Sequence, residues 1–66
     1  MEPYVCLLFD AEGFIVGSAT LTQPQNEQHA RDEARALLRM TERARGFELW
    51  SRGDRVDAYF PAQSRT

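Results

Sequence analysis

Four β-forming runs, arranged as two pairs around one helical run, constrain the fold of this chain more than any other feature of its sequence. The first run, Tyr4–Phe9, is apolar at every position, and a second β-forming run covers 14–22. Between them, residues 10–13 have the sequence DAEG, which is typical of a short turn that ends on glycine. These features predict a β-hairpin with Gly13 in the left-handed conformation.

A second hairpin is predicted later in the chain. Residues 47–51 and 56–60 each alternate between apolar and polar side chains, and residues 52–55, with the sequence RGDR, separate them. Such alternation is typical of strands with one buried face, and glycine and aspartate between the runs favour a tight turn. We expect Pro61 to end the last strand, because proline cannot donate to a β ladder.

A single helical pattern lies between the two hairpins. Asn26 is a typical N-cap, and Glu27 in the first turn suits the helix dipole. Small and apolar side chains recur at helical spacing up to Arg45, and Gly46 is of the type that commonly ends a helix. We therefore predict one amphipathic helix over 27–45. Its narrow apolar face consists of Ala30, Ala34, Leu37, Leu38, Thr41 and Ala44.

The order of these runs is ββαββ, which predicts the α+β class. One amphipathic helix on one face of a four-stranded antiparallel sheet would bury the apolar sides of all five elements. The sheet order 2-1-3-4 makes every pair of neighbours antiparallel, and a central position suits the uniformly apolar first run. We expect a single domain over residues 1–61 and a frayed C-terminal tail at 62–66.

Three segments of the chain carry a resemblance to a bacterial family. They are LFDAEGFIVG at 8–17, EARALL at 33–38, and FELW at 47–50 ahead of Arg55 and Val56. They resemble small uncharacterised proteins of about 60 to 70 residues, common in alphaproteobacteria, with a ββαββ order. The resemblance covers Tyr4 to Phe60 and implies this fold and a bacterial cytoplasm. It implies no activity and no site.

Length, charge and cysteine content exclude several classes of protein. A chain of 66 residues hides only about 60% of its unfolded surface, which leaves no room for a dinucleotide fold or a deep substrate cavity. The net charge of −2 disfavours nucleic acid as a partner. The single cysteine, Cys6, cannot form an internal disulfide, and no apolar run is long enough to cross a bilayer. We therefore expect a cytoplasmic protein without membrane contact.

Residues that could carry catalysis or hold a metal do not form complete sets. Cys6 is far in sequence from His29, and cysteine is among the most buried residue types, so we interpret Cys6 as structural. His29 and Glu33 stand four apart, but a metal site needs a third ligand, and none is evident. The sequence predicts no catalytic, cofactor-binding or metal-binding residue, no cofactor and no enzyme activity.

All eight basic residues are arginines, and four of them recur along the predicted helix. This arginine ridge consists of Arg31, Arg35, Arg39 and Arg43. Residues four apart are neighbours on a helix surface, and we expect the ridge on the side away from the sheet. It is interpreted as a solvated face, with contact to phosphate or an acidic partner as the alternative.

The sheet face opposite the helix is the predicted contact surface. Alternation in 56–60 predicts Val56, Ala58 and Phe60 in the core and Tyr59 outside, and alternation in 47–51 predicts Trp50 outside. The first run must add either Tyr4, Cys6 and Leu8 or Val5, Leu7 and Phe9 to the same face. Exposed aromatic and aliphatic patches commonly mark contact surfaces. The predicted interface comprises Tyr4, Cys6, Leu8, Trp50, Arg52 and Tyr59.

These patterns predict a small non-enzymatic interaction module, a homodimer through its helix-free sheet face or a module that binds another protein. One alternative is a nucleic-acid-associated regulator that uses the arginine ridge, with Trp50 and Tyr59 as stacking groups. The other is a small inhibitor or accessory subunit of one specific protein. In that case acidic loop residues would set the choice of partner, namely Asp10, Glu12, Asp54 and Asp57.

Overall fold

The computed structural model describes residues 3–21 and 26–60. The elements in chain order are β1 (Tyr4–Phe9), β2 (Ile15–Leu21), α1 (Glu27–Met40), β3 (Gly46–Ser51) and β4 (Asp54–Tyr59). The expected tail at 62–66 and Pro61, which was expected to end the last strand, lie outside the described residues.

The four strands form one antiparallel sheet in the order β2-β1-β3-β4, with α1 connecting β2 to β3. The predicted α+β class, ββαββ order and strand order are therefore confirmed. β1 occupies a central position, where neighbouring strands shield both of its edges and the helix covers one of its faces. This position explains why a strand with apolar side chains on both faces is tolerated.

Asp10 organises the turn of the first hairpin. Its carboxylate oxygen Oδ1 accepts hydrogen bonds from the backbone N–H groups of Glu12 at 2.8 Å and Phe14 at 3.0 Å. Gly13 has φ of +91°, as its predicted left-handed conformation requires. The register shifts after Leu8, so that Val16 is the extra residue of a β-bulge in β2.

A two-residue turn joins β3 to β4. Ser51 pairs with Asp54, and the two residues between them, Arg52 and Gly53, have φ values of +58° and +81°. Positive φ at both central positions is typical of a type I′ turn, whose twist matches that of the strands. The predicted tight turn is present, but β4 begins at Asp54 instead of residue 56.

The helix begins as predicted and ends earlier than predicted. The Asn26 side chain accepts a hydrogen bond of 2.8 Å from the backbone N–H of His29. At the other end, Thr41 has an extended backbone conformation and is the C-cap. The Arg45 N–H then donates to the Phe9 carbonyl oxygen at 2.7 Å. The helix therefore does not extend to residue 45, and Gly46 does not end it, so both predictions are wrong. Instead the chain turns at 41–45, which buries Ala44, and β3 starts at Gly46.

The core lies between α1 and one face of the sheet. Cys6 pairs with Leu49 and Leu8 pairs with Phe47 across β1 and β3, so these four side chains share a face. All eight buried apolar residues belong to one cluster: Cys6, Leu8, Leu21, Ala30, Ala34, Ala44, Phe47 and Leu49. The alanines of α1 let the helix approach closely.

The side-chain pattern of β4 differs from the prediction. The register shifts between Leu49 and Trp50, which leaves Val56 as an unpaired bulge residue. As a result Tyr59 pairs with Phe47 and Asp57 with Leu49, both on the helix side of the sheet. The predicted outward placement of Tyr59 is wrong, because a bulge reverses the alternation along a strand.

The predicted core positions at the end of this strand are also corrected. Ala58 pairs with Glu48 on the helix-free side and is exposed. Phe60 is exposed too, with its ring against Phe9. Of the three predicted core residues, only Val56 packs against the core cluster.

Candidate functional site

The helix-free face of the sheet is built around those residues of β1 that point away from the helix. Since Cys6 and Leu8 face the helix, Val5, Leu7 and Phe9 project from the opposite side. Val5 pairs with Trp50 and Leu7 pairs with Glu48 across β3, which places these two β3 side chains on the same face. The two central strands thus present four apolar side chains to this side.

A short polar network holds the indole of Trp50 in place. The Trp50 Nε1–H donates to the Glu48 carboxylate at 3.0 Å, and the Arg55 guanidinium donates to the other oxygen of Glu48 at 3.1 Å. Glu48 is therefore paired on both oxygens, and the orientation of the Trp50 ring is fixed within the chain. Preorganised aromatic side chains lose little conformational entropy on binding.

Aromatic and aliphatic side chains extend this face at the end where Phe9 lies. The Phe9 and Phe60 rings are in tilted contact, with centroids 5.5 Å apart. Phe60 is 43% exposed, Ile15 59% and Phe14 66%. Ile15 pairs with Phe9 and so projects from the same side of the sheet. Large apolar side chains with this much exposure are suited to protein contact.

Most of the predicted interface residues lie elsewhere. Cys6 and Leu8 are buried under the helix, Tyr4 packs against the core, and Tyr59 lies on the helix side, so their predicted position on the helix-free face is wrong. Trp50 lies on that face, and the exposed Arg52 lies in the adjoining turn. The alternative set of β1 side chains, Val5, Leu7 and Phe9, is the one that lies on this face, and Phe60, which was predicted in the core, was missed. The strong tendency of cysteine to be buried was the signal that could have selected the correct phase of β1.

Cys6 has no accessible surface, and burial raises the pKa of its thiol from 9.0 to about 11. Desolvation disfavours the thiolate, which is the nucleophilic form. At neutral pH this side chain is a small apolar core group.

The arginines of the predicted ridge do not act as one surface. Arg31 forms ion pairs with Glu27 and, at 3.5 Å, with Asp57 of β4. The Arg35 guanidinium lies 5.5 Å from the centroid of the Tyr59 ring. Arg39 is exposed in the last turn, and Arg43 follows the end of the helix. The predicted placement away from the sheet is therefore wrong for Arg31 and Arg35, which hold α1 against β4.

The remaining polar candidates form local pairs. His29 Nε2 lies 3.2 Å from Glu33 Oε2 within α1. Over 3–21 and 26–60, no three metal-binding side chains come together. Asp10 and Glu12 share a shallow, open groove with Arg43 and Arg45, a mixed set of charges at one end of the sheet.

The structure contains no helix, within its described ranges, that is long and apolar enough to cross a membrane. Comparison with protein-family models, with curated proteins and with solved structures finds no match to this chain. The resemblance to small alphaproteobacterial proteins stays a prediction.

Proposed function

We propose that this protein is a small non-enzymatic interaction module that forms a homodimer through its helix-free sheet face. The observation that carries the proposal is the apolar strip of Val5, Leu7, Phe9 and Trp50 on the two central strands. Among the described residues, no element covers this face, since α1 packs on the other side. A second copy would remove the strip from water and complete the burial that one thin helix provides on one side only.

The size of the face supports this arrangement. Four strands about 4.8 Å apart and six residues at about 3.3 Å each give roughly 400 Å² in projection per copy. Protruding rings at the rim add to this area, so two copies would bury about 1,000 Å² in total, the threshold for a specific interface. An area at this threshold favours a dissociable dimer.

The charges on this face are compatible with self-association. Glu48 and Arg55 already pair within one copy, so two faces can meet without an unpaired charge at the centre. A two-fold axis lying between the sheets would bring each Trp50 against the partner's apolar strip.

The same face could instead bind one specific protein as an inhibitor or accessory subunit, the alternative that the sequence left open. The nucleic-acid alternative is weaker, because Arg31 and Arg35 are already engaged by Asp57 and Tyr59. We place the protein in the cytoplasm, where the buried thiol of Cys6 would stay reduced.

Sedimentation equilibrium of the parent and of Leu7→Arg tests the proposal. A charge at the centre of the strip should halve the molar mass, because two arginines would meet between the faces. Tyr59→Ala is the matched control, since it removes an aromatic side chain from the opposite side of the same sheet and should keep the parent mass. An unchanged mass for a folded Leu7→Arg, judged by circular dichroism, contradicts the proposal; Trp50→Ala provides the same test with a smaller perturbation.

A further inference from the structure

The two edges of the sheet differ in their protection against pairing. β4 carries three charged side chains, those of Asp54, Arg55 and Asp57, whereas the sequence of β2, IVGSATL, contains no charge and no proline. Edge strands expose unpaired backbone N–H and C=O groups, and natural proteins commonly block them with charges or proline. Over the described ranges, β2 pairs only with β1 and lacks both of these blocking devices.

An apolar groove lies directly beside this edge. The contacts of Arg31 with Asp57 and of Arg35 with Tyr59 draw α1 towards β4, which leaves space between α1 and β2. The groove has a volume of about 240 Å³ and is lined by Ala19, Leu21, Glu33, Ala36, Leu37 and Met40. Met40 is 79% exposed although it belongs to this apolar set. The edge and the groove form one continuous surface. The edge offers backbone N–H and C=O groups for hydrogen bonds, and the groove offers apolar side chains for packing.

The two flanks of α1 have opposite character. Arg31 and Arg35 lie on the flank towards β4, where they contact Asp57 and Tyr59. The flank towards β2 has Glu33 as the one charged residue of the groove lining, and that carboxylate is 3.2 Å from His29 of the same helix. A copy of the chain could therefore approach the β2 flank without meeting a row of like charges.

We propose that β2 and the adjacent groove bind the same surface of a second copy, with the two β2 strands antiparallel across a two-fold axis. The strands would continue the sheet from one copy into the other, and the two helices would lie side by side over it. In an antiparallel helix pair centred near Ala36 and Leu37, Glu33 would lie near the partner's Met40 and away from the partner's Glu33.

The size of this surface is close to that of the helix-free face and lies at the lower limit for a specific interface between two copies. A strand of seven residues is about 23 Å long, and a sheet with one helical layer is about 15 to 20 Å deep, which gives roughly 400 Å² in projection per copy. The β-bulge at Val16 interrupts one end of β2, and an antiparallel pair over the regular stretch 17–21 adds about four backbone hydrogen bonds. These bonds satisfy groups that otherwise remain at an open edge.

This interface is separate from the helix-free face and does not depend on it. The two-fold axis of a continuous antiparallel sheet is perpendicular to the sheet, whereas the axis between two stacked faces lies parallel to it. Perpendicular two-fold axes that intersect generate a closed tetramer, so both interfaces can exist in one particle. The effects of variants at the two surfaces are therefore distinguishable.

Sedimentation equilibrium of Ala36→Arg tests the edge interface. The substitution places a charge in the groove and should halve the molar mass relative to the parent. Gln28→Arg is the control, because it adds the same charge at an exposed position of α1 that does not line the groove and should leave the mass unchanged. Met40→Arg, at an exposed position, provides the same test if Ala36→Arg fails to fold. A parent-like mass for both groove variants would overturn the proposal, and so would an equal loss of mass in Gln28→Arg.

Hydrogen exchange supplies a second readout that is specific to strand pairing. Outward-facing β2 amides in the parent should exchange at least tenfold more slowly than in Ala36→Arg, while β1 amides exchange alike in both. Equal exchange of the β2 amides in the two proteins overturns the proposal, because it would mean that nothing covers this edge in the purified protein. If Leu7→Arg alone lowers the mass, the helix-free face is an interface and the β2 edge is not.

Discussion

Gly46 occupies a position in β3 where no larger residue fits. A Cβ atom at this residue would lie 2.5 Å from the Tyr59 carbonyl oxygen and 2.6 Å from the Phe60 ring. The absence of a side chain thus leaves the space that Phe60 fills beside Phe9 on the helix-free face. The sequence pattern assigned Gly46 to the end of the helix, since glycine is common there, and could not indicate a steric role that depends on the distant residue Phe60.

We predict that Gly46→Ala lowers the free energy of unfolding by about 2 to 3 kcal/mol, a typical cost of overpacking. Gly17→Ala is the control, because its new Cβ would meet Leu8 Cδ1 at 3.4 Å, close to ordinary contact. Urea denaturation of both variants measures the difference. Equal stability of the two variants would show that Tyr59 and Phe60 can move away without cost.

Burial of Cys6 makes stability depend on pH in the alkaline range. The folded state holds the thiol proton up to a pKa of about 11, while the unfolded chain releases it near 9.0. Between these values the unfolded state binds fewer protons, so the free energy of unfolding decreases as pH rises, by up to about 1.4 kcal/mol per pH unit. The contribution is fully present below pH 9.

Comparison of the parent with Cys6→Ala isolates this effect, because all other titrating groups are common to both proteins. We predict that the parent is more stable at pH 8 and that its advantage shrinks between pH 9 and 10.5. Urea denaturation at several pH values measures this difference in the free energy of unfolding between the two proteins. An advantage that stays constant over this range would mean that the thiol ionises equally readily in both states.

At the scale of elements, local patterns predicted most of the fold. The apolar run of β1, the Asn26 cap and the RGDR turn each have a strong local signal, and all four strands and the helix are present. The errors arose where tertiary contacts override local pattern. The helix ends at Met40 because the chain must turn so that the Arg45 N–H can donate to the Phe9 carbonyl oxygen. Tyr59 faces the helix because a bulge at Val56 reverses the alternation of side chains in β4.

The turn between β3 and β4 holds one residue in an unfavourable backbone conformation. Arg52 has φ of +58°, a left-handed conformation that costs a residue with a Cβ about 1 kcal/mol and that asparagine adopts more readily. We predict that Arg52→Asn raises the free energy of unfolding by about 0.5 to 1 kcal/mol and that β-branched Arg52→Val lowers it. Thermal unfolding of the two variants measures which of them is more stable. If Arg52→Val is as stable as Arg52→Asn, the turn adopts another conformation in solution.

Over residues 3–21 and 26–60 the molecule has one well-filled layer, and two of its apolar surfaces lie outside that layer. The helix covers the side of Cys6, Leu8, Phe47 and Leu49, while the strip around Leu7 and the edge of β2 lie outside this core. The sequence could predict that one helix cannot cover a uniformly apolar β1 on both faces. The one sequence signal for which side chains of β1 face the helix was the burial tendency of Cys6. The position of α1 beside β4 was not predictable, because it depends on contacts of Arg31 and Arg35 with residues distant in sequence, Asp57 and Tyr59.

Molar mass measured against concentration tests the central claim, that the chain completes its burial by self-association, most directly. We predict that the mass of the purified protein reaches at least twice 7.6 kDa by a concentration of about 1 mM, and that it falls towards 7.6 kDa on dilution. A mass of 7.6 kDa at every concentration would contradict the claim.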